Sequence, residues 1–187
     1  FQEFPVNTTT SGDQTGIALA ADASNVFAIW EGNDSPSNFD EVLYSAVSLL
    51  GNFGGETTIN DVTTGVQEDP DVASSASGGT WGVWASADGR IYAAEMFFAS
   101  RGTNVEIATW SFTDPEPQIT ALENSTGFVI TYRDGSSLSA RLFDGVTEVV
   151  GPAFALGSAQ DWDVAALPNG KFVVVISGGS GVQSQLY

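Results

Sequence analysis

One pattern recurs four times along this chain. A short apolar strand start (GIALA, DVASS, QITAL, DVAAL) leads through a turn to a second apolar stretch. That second stretch ends at Trp30, Trp84, Tyr132 and Ile176. The strand starts are anchored by Ile17, Val72, Ile119 and Val164. Between the two stretches lie Asp22-Ala23-Ser24-Asn25, Ser77-Gly78-Gly79, Asn124-Ser125-Thr126-Gly127 and Pro168-Asn169-Gly170. These residue types tolerate positive backbone angles or bond their own backbone, as tight hairpins require. A third stretch of alternating polarity follows in each copy (AVSL, AEMF, ARLF, SQLY), then a weaker fourth (GGETTIN, NVEIATW, PAFAL) in the first three. In the first copy the second turn is replaced by the insert EGNDSPSNFDE.

The repeats run approximately 12–64, 65–112, 113–158 and 159–187, the last completed by 1–11. Self-similarity at about 47 residues with four short strands per unit is the signature of a propeller blade. The expected fold is therefore all-β, a single four-bladed β-propeller domain over 1–187. The last repeat stops after a third strand, and FQEFPVN at the other end reads as a fourth. Phe1–Asn7 is thus expected to pair beside the last repeat and close the ring, which removes the free edges of an open array. The stretch EVLYSAVSLL resembles a helix by composition, but its place in the repeat makes it a strand. An irregular β-sandwich, which also strings short strands at even spacing, is the alternative.

Charge narrows the function classes. There are 5 Lys and Arg against 23 Asp and Glu, giving a formal charge of −18, with no His and no Cys. Such a surface repels nucleic acid and anionic membrane and attracts cations. Without His or Cys there is no Ser-His-Asp triad, no Cys-His pair and no imidazole zinc site. No apolar run is long enough for a membrane span. The expected location is extracellular or at the cell surface.

In a propeller the first strands line the axis. The residues before the four anchors, Gly16, Asp71, Gln118 and Asp163, would then face one another. Two positions earlier stand Gln14, Asp69, Glu116 and Asp161. Carboxylates held at close range repel unless a cation or proton intervenes, and Ca²⁺ accepts such oxygen ligands. The expected metal site is an axial Ca²⁺ held mainly by Asp71 and Asp163, with Asp69, Asp161, Glu116 and Gln118 around it. The other reading of the same acids is as solvated turn caps. Trp162, next to these acids, suggests a stacking platform for a sugar ring. Asp34 and Asp40, in the one long acidic insert, are candidate ligand-binding residues because long loops on rigid scaffolds often carry function. A carboxylate pair could cleave glycosides, but the spacing singles out no pair.

The segment PVNTTTSGDQ, followed by an apolar strand, PNGKFVVVI-like second strands and A-x-x-F third strands, resembles a repeat of large secreted bacterial proteins. These are adhesin-like proteins of marine bacteria and proteins carrying hemolysin-type calcium-binding (RTX) segments. The likeness covers the whole chain as a pattern and is close at 4–14 and 168–176. It implies an extracellular module linked to calcium and supplies no catalytic residues. Gly178-Gly179-Ser180-Gly181 begins the calcium nonapeptide of that family, but Gln183 stands where its Asp ligand belongs. By blade count alone the architecture also resembles hemopexin-type domains. The function expected from all this is a non-enzymatic extracellular binding or scaffolding module for a glycan or an extracellular protein partner, open to assembly into a larger complex. The alternatives are a carbohydrate-active hydrolase using carboxylates and a structural subunit.

Overall fold

The computed structural model describes residues 5–33, 40–111, 114–179 and 181–187. They form sixteen β-strands and one 3-10 turn, Pro168–Gly170, in four antiparallel sheets. The first sheet joins β1 (Gln14–Ala21), β2 (Asn25–Gly32), β3 (Glu41–Ser48) and β4 (Thr57–Thr58) in that order. The second joins β5 (Gln67–Ser75), β6 (Gly79–Ser86), β7 (Arg90–Glu95) and β8 (Val105–Thr109). The third is β9 (Gln118–Ala121), β10 (Gly127–Asp134) and β11 (Ser137–Asp144), with β12 (Val149–Val150) and β13 (Phe154–Ser158) both on the far edge of β11. The fourth is β14 (Asp161–Leu167), β15 (Lys171–Gly178) and β16 (Gly181–Leu186). Each sheet is a meander joined by the turns read from the sequence, and among the described residues the fourth holds three strands. EVLYSAVS is a strand, as its place in the repeat required.

The sheets stack in a row because the two middle ones are apolar on both faces. Phe27, Ile29, Tyr44 and Ala46 of the first sheet close on Val72, Trp84 and Met96 of the second. The opposite face of the second sheet, Trp81, Val83 and Ala93, closes on Ile119, Phe128 and Phe143 of the third. Val129, Leu138 and Ala140 then close on Trp162, Val164 and Phe172 of the fourth. Trp81 meets Phe143 edge-on with ring centroids 4.6 Å apart, an arrangement that suits their quadrupoles. Turns lock too: the Ser75 and Ser77 hydroxyls both donate to the Ser125 carbonyl of the next sheet. A side chain on Gly78 would sit 2.5 Å from the Thr126 carbonyl oxygen, so this approach needs glycine.

Strand register corrects one alignment. Trp30 and Trp84 are equivalent, and Ile29 faces Ala18 as Val83 faces Asp71. The first-sheet equivalent of Val72 is therefore Leu19, not Ile17, and that of Asp71 is Ala18. The slip is two residues, which leaves every side chain on its expected face.

The expected ring closure rests in part on Phe1–Phe4, which lie outside the described residues. Of that segment, Pro5, Val6 and Asn7 line one hollow with Ser45 of β3 and with Phe53 and Gly55 of the loop that follows it. The Thr8 amide and the Thr9 hydroxyl donate to the Glu56 carboxylate nearby. β16 is exposed along its length. Among the described residues no helix is long and apolar enough to cross a membrane.

Candidate functional site

The first strands of three sheets converge on a cleft of ≈ 390 Å³ lined by Gly16, Glu31, Asp69, Asp71, Glu116 and Gln118, among others. Irregular backbone builds it. β5 bulges between Glu68 and Asp71, and Asp69 within the bulge has a φ of 53°. Pro70, with no N–H to give the ladder, suits the same bulge. β1 bulges at the equivalent place between Thr15 and Ala18, with Gly16 at φ 60°. A Cβ on Gly16 would lie 2.6 Å from Glu31 Oε1, so glycine here leaves room for that carboxylate. Glu116, the third equivalent, has a φ of 42° between Pro115 and Pro117. Three non-regular backbones at one mouth are a local strain of about 1 kcal/mol or more each for the two acids, the kind that collects at functional sites.

The carboxylates are held unequally. Glu31 Oε1 accepts the Asp69 amide at 2.8 Å, and Oε2 accepts the Thr15 hydroxyl at 3.2 Å. Glu116 pairs with Arg133 at 3.0 Å, and Arg133 also pairs with Asp114 at 3.2 Å. Burial, followed by the charges of Asp114, Glu68, Glu31 and Glu116, pushes Asp69 up to about 7. Burial raises Glu116 as well, with Asp114 adding to the rise and Arg133 opposing it. Burial also raises Asp71; the Ile119 and Val72 amides oppose the rise, and the charge of Asp163 adds to it. Asp71 is a tie between sheets: Oδ1 accepts its neighbour Val72 N–H at 2.9 Å, and Oδ2 accepts Ile119 N–H of the next sheet at 2.8 Å. Gln118 makes the same kind of link onward, donating to the Trp162 carbonyl at 3.2 Å.

Of the residues expected at the axis, Asp69, Asp71, Glu116 and Gln118 share the cleft. Asp161 and Asp163 lie on the exposed side of β14, beside a separate depression with Val175 and Val182. Both oxygens of Asp71 are already occupied by amides. Among the described residues no group of three or more His, Cys, Asp or Glu side chains is placed to hold a metal ion. Trp162 is not an exposed platform. It is buried, its Nε1–H donates to the Thr131 hydroxyl at 3.0 Å, and Arg133 covers its ring at 5.6 Å. Asp40 is half-buried, and its carbonyl accepts the Gln67 amide; Asp34 lies outside the described residues. Sequence reasoning set Glu31 in the acidic insert, with Asp34, Asp40 and Glu41, rather than at the cleft, and it missed Arg133 and Asp114. Only Glu31 had a signal: it follows Trp30 at a strand end on the side of the expected channel.

No family model and no curated protein matches the sequence. Solved structures do match its fold. An α-L-arabinofuranosidase from Podospora anserina, solved with cellotriose, superposes with a TM-score of 0.55 at 11% identity, over 97% of this chain and 67% of that one. An endo-arabinase from Bacteroides thetaiotaomicron gives 0.56 at 14% identity, over 98% and 78%. The β-propeller domain of the Trilobed protease from Pyrococcus furiosus, described as having an open velcro topology, gives 0.53 at 14%, over 94% and 55%. The expectation of a non-enzymatic module is corrected by these neighbours, among which glycoside hydrolases are the main group. At such identities the likeness establishes the fold, and this chain is an all-β protein of the propeller type.

Proposed function

We propose that this protein hydrolyses a neutral glycan in the acidic cleft, with Asp69 as proton donor and Glu31 as its carboxylate partner. The observation that carries the reading is Asp69 itself. It sits in a ligand-sized cleft, and its carboxyl group holds its proton up to a pH of about 7. A general acid must be protonated at working pH, and two carboxyl groups whose environments differ can divide the acid and base roles. Asp69 would give its proton to the leaving glycosidic oxygen. Glu31, positioned by the Asp69 amide and the Thr15 hydroxyl, would take a proton from the water that attacks the anomeric carbon. Asp71 is a positioning residue, since both its oxygens are held by backbone amides.

The crowd of acids favours an uncharged substrate, because uronate or sulfate groups would be repelled from this mouth. Arabinan and cello-oligosaccharides, suggested by the endo-arabinase and by the cellotriose-bound arabinofuranosidase, are the first substrates to try. Polysaccharide substrates place the protein outside the cell. The four sheets are read as four blades about one axis. The equivalent positions of Ala18, Asp71, Gln118 and Asp163, and the charge of Asp163 acting on Asp71, support that reading.

The test is a reducing-sugar assay on a panel of neutral and anionic polysaccharides. Turnover of a neutral glycan that drops by about 100-fold or more in Asp69→Asn, with the melting temperature kept, is expected. No turnover anywhere in the panel, or turnover unchanged in Asp69→Asn, overturns the assignment.

A further inference from the structure

The first strands bring three equivalent triplets to the acidic cleft: Gly16-Ile17-Ala18, Asp69-Pro70-Asp71 and Glu116-Pro117-Gln118. The outer residues of each triplet are small, acidic or amide, and the middle one is apolar. Pro70 and Pro117 are buried, so they form floor rather than rim. Ile17 differs from both: it is 70% exposed and still lines the cleft. The bulge between Thr15 and Ala18, with Gly16 in left-handed backbone, sets it at the mouth. In the fourth sheet the middle position is Trp162, which is buried beneath Arg133.

Ile17 is also shared by two cavities. Besides the acidic cleft it lines a hollow of ≈ 110 Å³ with Val6, Asn7, Gln14, Ala28 and Trp30. The walls of that hollow are mainly apolar, and two amide side chains, Asn7 and Gln14, edge it. No Lys or Arg is among the described residues that line either cavity. A branched apolar side chain left in water adds little to folding, because the hydrophobic gain comes only with burial. It can make that gain when a ligand covers it. Sugar rings match such a surface: their C–H faces are apolar, and their hydroxyl rims bond to carboxylates and amides.

We propose that Ile17 determines specificity by supporting the apolar face of the sugar unit next to the one attacked, so that the preferred substrate is a neutral oligosaccharide running from the acidic cleft over Ile17 to the second hollow, an inference that rests on the hydrolase reading of the cleft. The contact is made equally in the ground state and the transition state. It therefore acts on KM and leaves kcat unchanged. A short glycoside that fills only the acidic cleft does not make it.

The experiment measures kcat and KM for the wild type, Ile17→Ser and Ile17→Val on arabino- and cello-oligosaccharides of increasing length and on aryl glycosides of single sugars. Separately, calorimetry measures the Kd of arabinotriose and cellotriose in an Asp69→Asn background, with and without each Ile17 change. The position is exposed, so the melting temperature is expected to hold. Ile17→Ser is expected to raise KM and Kd for the better-bound trisaccharide by about fivefold or more, with kcat within about twofold and the aryl glycosides unaffected. Ile17→Val is expected to stay within about twofold of the wild type, because it keeps a branched apolar contact. Trisaccharide KM and Kd that do not move in Ile17→Ser, an equal loss on aryl glycosides, or no binding of either trisaccharide overturns the proposal. Absence of turnover in the wild type overturns the hydrolase reading alone, since Kd still decides whether Ile17 seats a sugar.

Discussion

The first three sheets bury apolar side chains on both faces; the fourth is packed on one. Yet the residues are of one kind. Leu19 is as apolar as Val72, and Val175 as apolar as Val83, but Leu19 and Val175 are exposed while Val72 and Val83 are buried. Alternation along a strand decides which side chains share a face, and only a neighbouring sheet decides whether that face is a core. Stability should therefore reside between the sheets, with the bare face of the fourth contributing little.

The sharpest way to break this contrast is Trp81→Ala. Trp81 is buried between the second and third sheets against Phe143, and the change should cost ~3–5 kcal/mol in urea unfolding. A loss below about 1 kcal/mol would mean that the interior interface is not the structural centre. Next comes the paired comparison of Asp71→Ala with Asp163→Ala. The first leaves the Ile119 amide without its acceptor and should cost ~1–3 kcal/mol. Among the described residues the second is bonded only by its own neighbour Val164, so it should cost less than about 1 kcal/mol.

Asp69 sharpens the comparison through pH. Its carboxyl group is raised in the folded state from an ordinary value of 3.8 to about 7. The folded protein therefore binds this proton more tightly than the unfolded chain does. The resulting stabilisation is full below about pH 4 and is lost as pH rises through about 7. With allowance for solvent screening of a group that is not fully buried, this is ~1–2 kcal/mol. Asp69→Asn should flatten the stability profile over that window, and catalysis by the wild type should decline above about pH 7. A variant profile parallel to that of the wild type would remove Asp69 from the proton-donor role. Smallest of all, Leu186→Ala on the bare face should change stability by less than about 0.5 kcal/mol in a dilute monomer.

Much of the fold was legible because its signals are local. Turn residues such as Ser77-Gly78-Gly79 and Pro168-Asn169-Gly170, set between apolar stretches, mark hairpins without help from distant contacts. Register was less legible. In GIALA both Ile17 and Leu19 suit the anchor position, since a shift of two residues keeps the same face; only pairing with β2 chose Leu19. The gathering of Asp69, Asp71, Glu116 and Gln118 could be read from equivalent positions in the repeat. The entry of Glu31 into that cleft could not, because it depends on the bulge that turns the Asp69 amide toward it. Trp162 was misread as an exposed sugar platform because its neighbours in sequence are acids, whereas its neighbours in space are the third sheet and Arg133.

What the amino-acid order determined alone is the four-times-written β meander, its turns, and an acidic character with no imidazole or thiol. What only the tertiary structure decided is which equivalent residues are alike in fact. It buries Val72 and leaves Leu19 open. It closes both oxygens of Asp71 with amides and leaves Asp163 facing outward, and it raises one carboxyl group, Asp69, above the rest. The physical reason is that burial, desolvation and charge repulsion depend on what lies across a gap in space, and a repeated sequence gives every copy the same residues but not the same neighbours.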